Sequence, residues 1–117
     1  METNVSLAAR DCKTVKKGTP ALRGEALESL AARLGPSWQV VEGHHLMKQF
    51  DFKDFKQALD FTNRIGALAE AQDHHPDIAL SWGKVGVTLW THDVGGLSEN
   101  DFILAAKVDG LPRPAAG

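Results

Sequence analysis

The chain has 117 residues, 43% hydrophobic and 24% charged, with a formal net charge of −2. That length and composition fit one ordinary globular domain, and the charge balance gives no basic face of the kind nucleic-acid binding requires. A single cysteine, Cys12, excludes an intrachain disulfide framework. With no apolar signal-type run and nothing near ~18 apolar residues in a row, a cytoplasmic protein without a membrane partner is expected.

Residues 1–22 read as an extended leader in which Lys13, Lys16, Lys17, Gly18 and Pro20 interrupt any period, so the lysines are expected on a solvated arm. The domain itself is expected over 23–111. A first helix is predicted over 25–34, where Leu27, Leu30, Ala31 and Leu34 form one apolar stripe and Gly35-Pro36 supply the stop. Residues 37–50 read as two short strands around Gly43, with an alternation too irregular to choose the buried face. For the second helix the expected start is Asp51 as cap, with Asp54 near the positive end of the dipole and Phe50 stapled to Phe55. Its core face is expected to carry Phe55, Ala58, Leu59, Thr62, Ile65, Gly66 and Ala69. It must end before Pro76, since a residue preceding proline avoids the α region, and that leaves Glu70 in its last turns.

Residues 78–90 carry the clearest strand pattern. Gly83-Lys84 reads as a two-residue turn with glycine first. One face is then Ile78, Leu80, Trp82, Val85, Val87 and Leu89, and the other is Asp77, Ala79, Ser81, Gly86, Thr88 and Trp90. In that register Ile78 stands opposite Leu89, and continuing outward Pro76 meets Thr91, His75 meets His92 and His74 meets Asp93. A third helix is predicted over 99–109, with Ser98 as cap, Asp101 three residues on, Leu97 stapled to Phe102, and Gly110 and Pro112 as stop. Residues 112–117 read as a loose tail. The order α-β-β-α-β-β-α predicts an α+β fold: a four-stranded antiparallel sheet with helices packed on one face.

Three of the five histidines fall at the ends of the second hairpin, in Glu70-Ala71-Gln72-Asp73-His74-His75-Pro76-Asp77 and Thr91-His92-Asp93. Histidine gives and takes protons near neutral pH, and neighbouring imidazoles can hold opposite protonation states. Glu70 and Asp93 are the candidates for fixing a tautomer, with Asp101 a third if the last helix starts nearby. A zinc site is disfavoured because adjacent strand residues point to opposite faces, so no metal and no cofactor are expected. No glycine-flanked serine elbow exists, and Cys12 has no base beside it. His44-His45, lacking a comparable acid cluster, reads as surface. Trp38 and Trp82 are expected in the core, and Trp90 on the open face with the histidines.

Together these residues resemble the pterin-4a-carbinolamine dehydratase family. The resemblance rests on Phe50-Asp51-Phe52-Lys53-Asp54-Phe55, on Glu70 before Asp73-His74-His75-Pro76, on Thr91-His92-Asp93, and on Gly96-Leu97-Ser98-Glu99-Asn100-Asp101. It spans about residues 22–109. It implies a metal-free hydro-lyase that removes water from a 4a-hydroxytetrahydropterin, recycling the cofactor of aromatic amino acid hydroxylation. It also implies a homodimer or homotetramer joined through its sheets. Position by position, it implies His74, His75 and His92 as active-site histidines and Glu70 and Asp101 as accessory acids. Pro76, Thr91, Asp93 and Val94 would line the pterin. Ile78 and Gly83 depart from the aromatic and the turn asparagine that many relatives carry. Some relatives act as dimerisation cofactors of a transcription factor, so a protein-interaction role without turnover is the alternative, with the first helix as its expected surface.

Overall fold

The computed structural model describes residues 6–114. Seven elements follow in the expected order: α1 (Gly24–Leu34), β1 (Gln39–Val41), β2 (His45–Asp51), α2 (Phe55–Gln72), β3 (Asp77–Ser81), β4 (Lys84–Leu89) and α3 (Glu99–Asp109). The strands form one antiparallel sheet in the order β1-β2-β4-β3. Leu46, Phe50, Val85, Val87 and Leu89 point from one face of that sheet into the core. α3 lies deepest among the helices: Phe102, Ile103, Leu104, Ala105 and Val108 are all at most 1% exposed. No helix among the described residues is long and apolar enough to cross a membrane.

The start of α2 differs from expectation. Asp51 is the last residue of β2, paired with Lys84. Asp54 caps the helix instead, its side chain accepting from the Gln57 N–H at 2.9 Å. Either aspartate suits a cap; the β2–β4 ladder claims the first and leaves the second. With that start the buried stripe is Ala58, Phe61, Ile65 and Ala69, which adds Phe61. Phe55 and Leu59, expected inward, are 40% and 37% exposed.

The second hairpin turns at Trp82-Gly83, one residue earlier than expected. Ser81 pairs with Lys84, and Ile78 stands opposite Val87 rather than Leu89. Gly83 takes a left-handed φ of 67°, the value favoured for glycine as second central residue of a type II turn. Its carbonyl accepts the Phe52 N–H at 2.8 Å, and a Cβ there would come within 2.9 Å of the Phe52 carbonyl oxygen. The turn is thus clasped by the β2–α2 connection. A shift of two residues keeps every side chain on its face, so Val85, Val87 and Leu89 are buried as read. Trp82, however, moves into the turn and is 72% exposed, not in the core. Trp38 is buried, its indole N–H donating to Asp109 at 3.0 Å.

The segment read as a solvated arm is bound to the domain over its described residues, 6–22, with Lys13, Lys16 and Lys17 exposed as expected and residues 1–5 lying outside the described residues. Leu7 is buried, the Arg10 guanidinium donates to Glu99 at 2.9 Å, and the Cys12 N–H donates to the Gln72 side chain at 2.8 Å. Asn100 clasps Lys13 in both directions, accepting from its N–H at 2.9 Å and donating to its carbonyl at 2.6 Å. Leu22 N–H then donates to the Leu97 carbonyl at 2.8 Å. Apart from that last backbone pair, these bonds run to polar side chains of α2 and α3, and no apolar period in the sequence records them.

Candidate active site

The end of α2 delivers two of the histidines. Asp73 closes the helix in a left-handed conformation, φ 53° and ψ 41°, and its N–H donates to the Ala69 and Glu70 carbonyls. That cap reverses the chain, so that His74 and His75 follow at once and Pro76 prevents any further helical turn. β4 delivers the rest. It leads through Trp90 and Thr91 into a short 3₁₀ turn, His92–Val94, closed by Gly95.

The observed register alters which residues meet. Continuing the β3–β4 pairing outward sets His75 beside Trp90, not His92, and His74 beside Thr91. The expected cross-strand pair of His75 and His92 is therefore not a ladder pair. The two residues do share one cleft of about 350 Å³, lined by Asp73, His74, His75, Pro76, Asp77, Trp90, Thr91, His92 and Asp93. A smaller cavity of about 170 Å³ adjoins it through Asp73, His74, Thr91 and Asp93, and its remaining wall is Asn100 with Lys13, Thr14 and Val15 of the bound leader.

Each imidazole is held differently. His74 Nε2 lies 2.6 Å from Asp101 Oδ1, with the histidine side chain 11% exposed and the aspartate fully buried. The other oxygen of Asp101 accepts from the Thr91 hydroxyl at 2.8 Å and from the Ser98 N–H at 2.9 Å. Asp101 therefore closes the start of α3 and orients His74 with one carboxylate. His75 Nε2 lies 2.6 Å from Glu70 Oε2 in the open, the side chains being 54% and 78% exposed. In both pairs the imidazole N–H must donate, since a carboxylate only accepts, and in the neutral ring this leaves each Nδ1 as the proton acceptor. His92 has no carboxylate on its ring among the described residues; it stacks on Trp90 with ring centroids 3.7 Å apart and an angle of 24°.

The two tautomer-fixing acids are thus Glu70 and Asp101. Asp93 lines the cleft but orients no imidazole; its carbonyl accepts the Gly18 N–H at 3.2 Å. Val94 sits in the 3₁₀ turn, partly buried and outside the cleft lining. Trp90 and Asp73 are cleft residues without an assigned role in the sequence reading, although Trp90 was expected on this face. Burial pushes the Cys12 thiol up to about 11, which keeps it protonated at neutral pH and a poor nucleophile. Among the described residues no three His, Cys, Asp or Glu side chains converge as metal ligands.

Comparison with known proteins identifies the family and its fold. The family model described as pterin 4 alpha carbinolamine dehydratase matches residues 20–111. The chain belongs to that family. A relative from Rubrobacter xylanophilus is 53% identical over 105 residues, covering 90% of this chain and 97% of its own. Another from Alkaliphilus metalliredigens is 50% identical over 104 residues, covering 89% and 94%. Both carry the provisional name pterin-4-alpha-carbinolamine dehydratase. Among solved structures, a transcriptional coactivator/pterin dehydratase from Brucella melitensis superposes with a TM-score of 0.70 at 33% identity, covering 77% of this chain and 96% of its own. A pterin dehydratase-like protein described as a RuBisCO assembly factor in the alpha-carboxysome has a TM-score of 0.55 at 28% identity, covering 66% and 90%. The family's fold therefore serves proteins of more than one described role.

Proposed function

We propose that this chain is a hydro-lyase that dehydrates a 4a-hydroxytetrahydropterin to the quinonoid dihydropterin, recycling a tetrahydrobiopterin-type cofactor after aromatic amino acid hydroxylation. The observation that carries the reading is the convergence of His74, His75 and His92 on one cleft, two of them bonded to carboxylates. The reaction breaks the C4a–O bond and removes a proton from a ring nitrogen. The hydroxyl leaves as water after accepting a proton, and the nitrogen's electron pair forms the new double bond. One imidazole supplies the first proton while another takes the second, and the two exchange roles through solvent before the next turnover. Pro76, Thr91, Asp93 and Val94 are the residues proposed to line the pterin, with Glu70 and Asp101 as the accessory acids. The same reading carries a homo-oligomer in the cytoplasm.

The test is the loss of 4a-carbinolamine absorbance with purified protein. His75→Ala and His92→Ala are each expected to lower kcat by about 10²-fold or more, the usual contribution of a positioned acid or base. Activity that survives both substitutions would remove histidine catalysis from the account.

A second reading, interaction without turnover, is favoured by one observation. The exposed apolar helical surface is Phe55 and Leu59 of α2, not α1, where Leu30 is buried and Leu27, Ala31 and Leu34 pack against the core. A co-purifying partner displaced by Phe55→Ser/Leu59→Ser, together with no turnover of any pterin, would make this reading the better one.

A further inference from the structure

His44-His45, which the sequence marks as plain surface, belongs to the same end of the sheet as the cleft. β2 pairs with β4 so that Leu46 stands opposite Leu89, and one step further sets His45 beside Trp90. The His44 ring lies 4.7 Å from the Trp90 ring at 42°, and His44 Nδ1 is 3.1 Å from His45 Nδ1. Trp90 in turn stacks on His92 at 3.7 Å. Four rings thus run in contact from the β1–β2 turn to the edge of the cleft.

The turn that starts this row has a demanding geometry. Glu42 and Gly43 take consecutive left-handed φ values of 54° and 65°, and the His44 N–H donates to the Val41 carbonyl at 2.9 Å. Two successive positive φ values are the mark of a type I′ turn. A non-glycine residue in that region is uncommon and suggests that surrounding structure holds it there. Glu42 and Asp73 are the two non-glycine residues with positive φ among those described, and each lies within two positions of a histidine pair.

We propose that His44 and Trp90 are positioning residues for His92. His74 and His75 are aimed by carboxylates; His92 has none, and it stands exposed on a short 3₁₀ turn. An imidazole so placed samples several rotamers unless something removes that freedom. Stacking does so by covering the ring's face and leaving both nitrogens, which lie in the ring plane, at the edge. The indole can hold this position only if it is itself held, and His44 packs against it from the neighbouring hairpin. Whether an imidazole near the indole carries a proton or not, the contact remains attractive, through cation–π attraction in one state and aromatic packing in the other. A histidine that must cycle between the two states can therefore stay in place throughout.

The catalytic consequence rests on the dehydratase reading, but the positioning claim does not, and the experiment separates them. The His92 ring-proton resonances of the full chain are measured by ¹H–¹³C correlation, assigned by their absence in His92→Gln. The Trp90 ring current should displace them upfield. They are expected to return toward unstacked values in Trp90→Ala, to move part-way in His44→Ala, and to stay near the wild-type position in His44→Phe and Trp90→Phe. Thermal melts of each variant establish that it is folded. In the dehydratase assay, Trp90→Ala should lower kcat about tenfold and His44→Ala about threefold with KM changed less than about twofold, since small misplacement of a reacting group acts on the rate. The phenylalanine variants should restore most of it. His92 resonances unmoved in Trp90→Ala and His44→Ala would overturn the proposal, as would a loss confined to KM. If the wild-type chain leaves the carbinolamine untouched, the dehydratase reading fails while the resonances still decide whether the stack holds His92.

Discussion

His74 and His92 border one cleft but are fixed by opposite means. His74 is almost enclosed, bonded to a buried carboxylate that also holds the Thr91 hydroxyl and the Ser98 N–H. His92 stands in the open and is held by the face of an indole. A hydrogen bond from a buried carboxylate sets distance, direction and tautomer together, but it fails badly if any member is lost, because the remaining buried groups are left unpaired. Stacking sets the plane and leaves the tautomer free. The difference teaches that one small site can combine an anchored imidazole with one whose two nitrogens remain available to a substrate. His75, bonded to Glu70 at the surface, lies between these extremes.

The sharpest way to break the anchored side is at Asp101. Asp101→Ala removes the acceptor of three donors; the Thr91 hydroxyl can turn to Ser98 Oγ, 2.7 Å away, while the half-buried His74 and Ser98 N–H are left unpaired. At roughly 1–3 kcal/mol for each unsatisfied group, a loss of about 2 kcal/mol or more is expected in a urea titration. Asp101→Asn keeps the shape and should retain more of that stability. It can present an amide N–H to His74, however, which forces the other imidazole tautomer and should lower kcat by about 10²-fold. An Asn variant with wild-type kcat would show that the tautomer of His74 is irrelevant to turnover. Glu70→Gln is the matching change on the exposed pair. A solvated hydrogen bond contributes only about 0.5–1.5 kcal/mol, so kcat should fall about threefold to tenfold with no measurable change in melting temperature. Equal losses at Asp101 and Glu70 would erase the distinction between buried and exposed anchoring.

Much of this arrangement is legible in the sequence, and the gaps have physical reasons. The helix stripes, the strand alternation and the Ser98–Asp101 spacing depend on local periods, so the element order and the start of α3 follow from them. Glu70 and the two histidine clusters are legible as chemistry because acids and imidazoles crowd a short stretch. The register of the second hairpin is not legible: Gly83 suits either of two turns, and a slip of two residues leaves every apolar side chain buried. Only the Phe52 backbone, met from outside the hairpin, chooses between them. The leader's attachment is hidden because it runs through the side chains of Asn100 and Gln72. His44 is hidden because its partner Trp90 is adjacent only across β2 and β4, a pairing between strands separated by a helix and a third strand.

The smallest expected effect bears on the turn behind the stacked histidine. A left-handed φ costs an L residue roughly 1–2 kcal/mol, and Glu42 carries that cost at φ 54°. Glu42→Gly removes it but adds about 0.5–1 kcal/mol of unfolded-chain entropy, so a net gain of about 0.5 kcal/mol is expected in the denaturation midpoint. Asp73→Gly should gain less, because aspartate tolerates the left-handed region better than glutamate. The useful contrast is between stability and site. If Glu42→Gly is more stable while the ring contacts of His44 loosen, the strained residue is a constraint that keeps the turn in the geometry the stack needs. If both improve together, the strain serves no positioning end, and the β1–β2 turn is held by its hydrogen bonds alone.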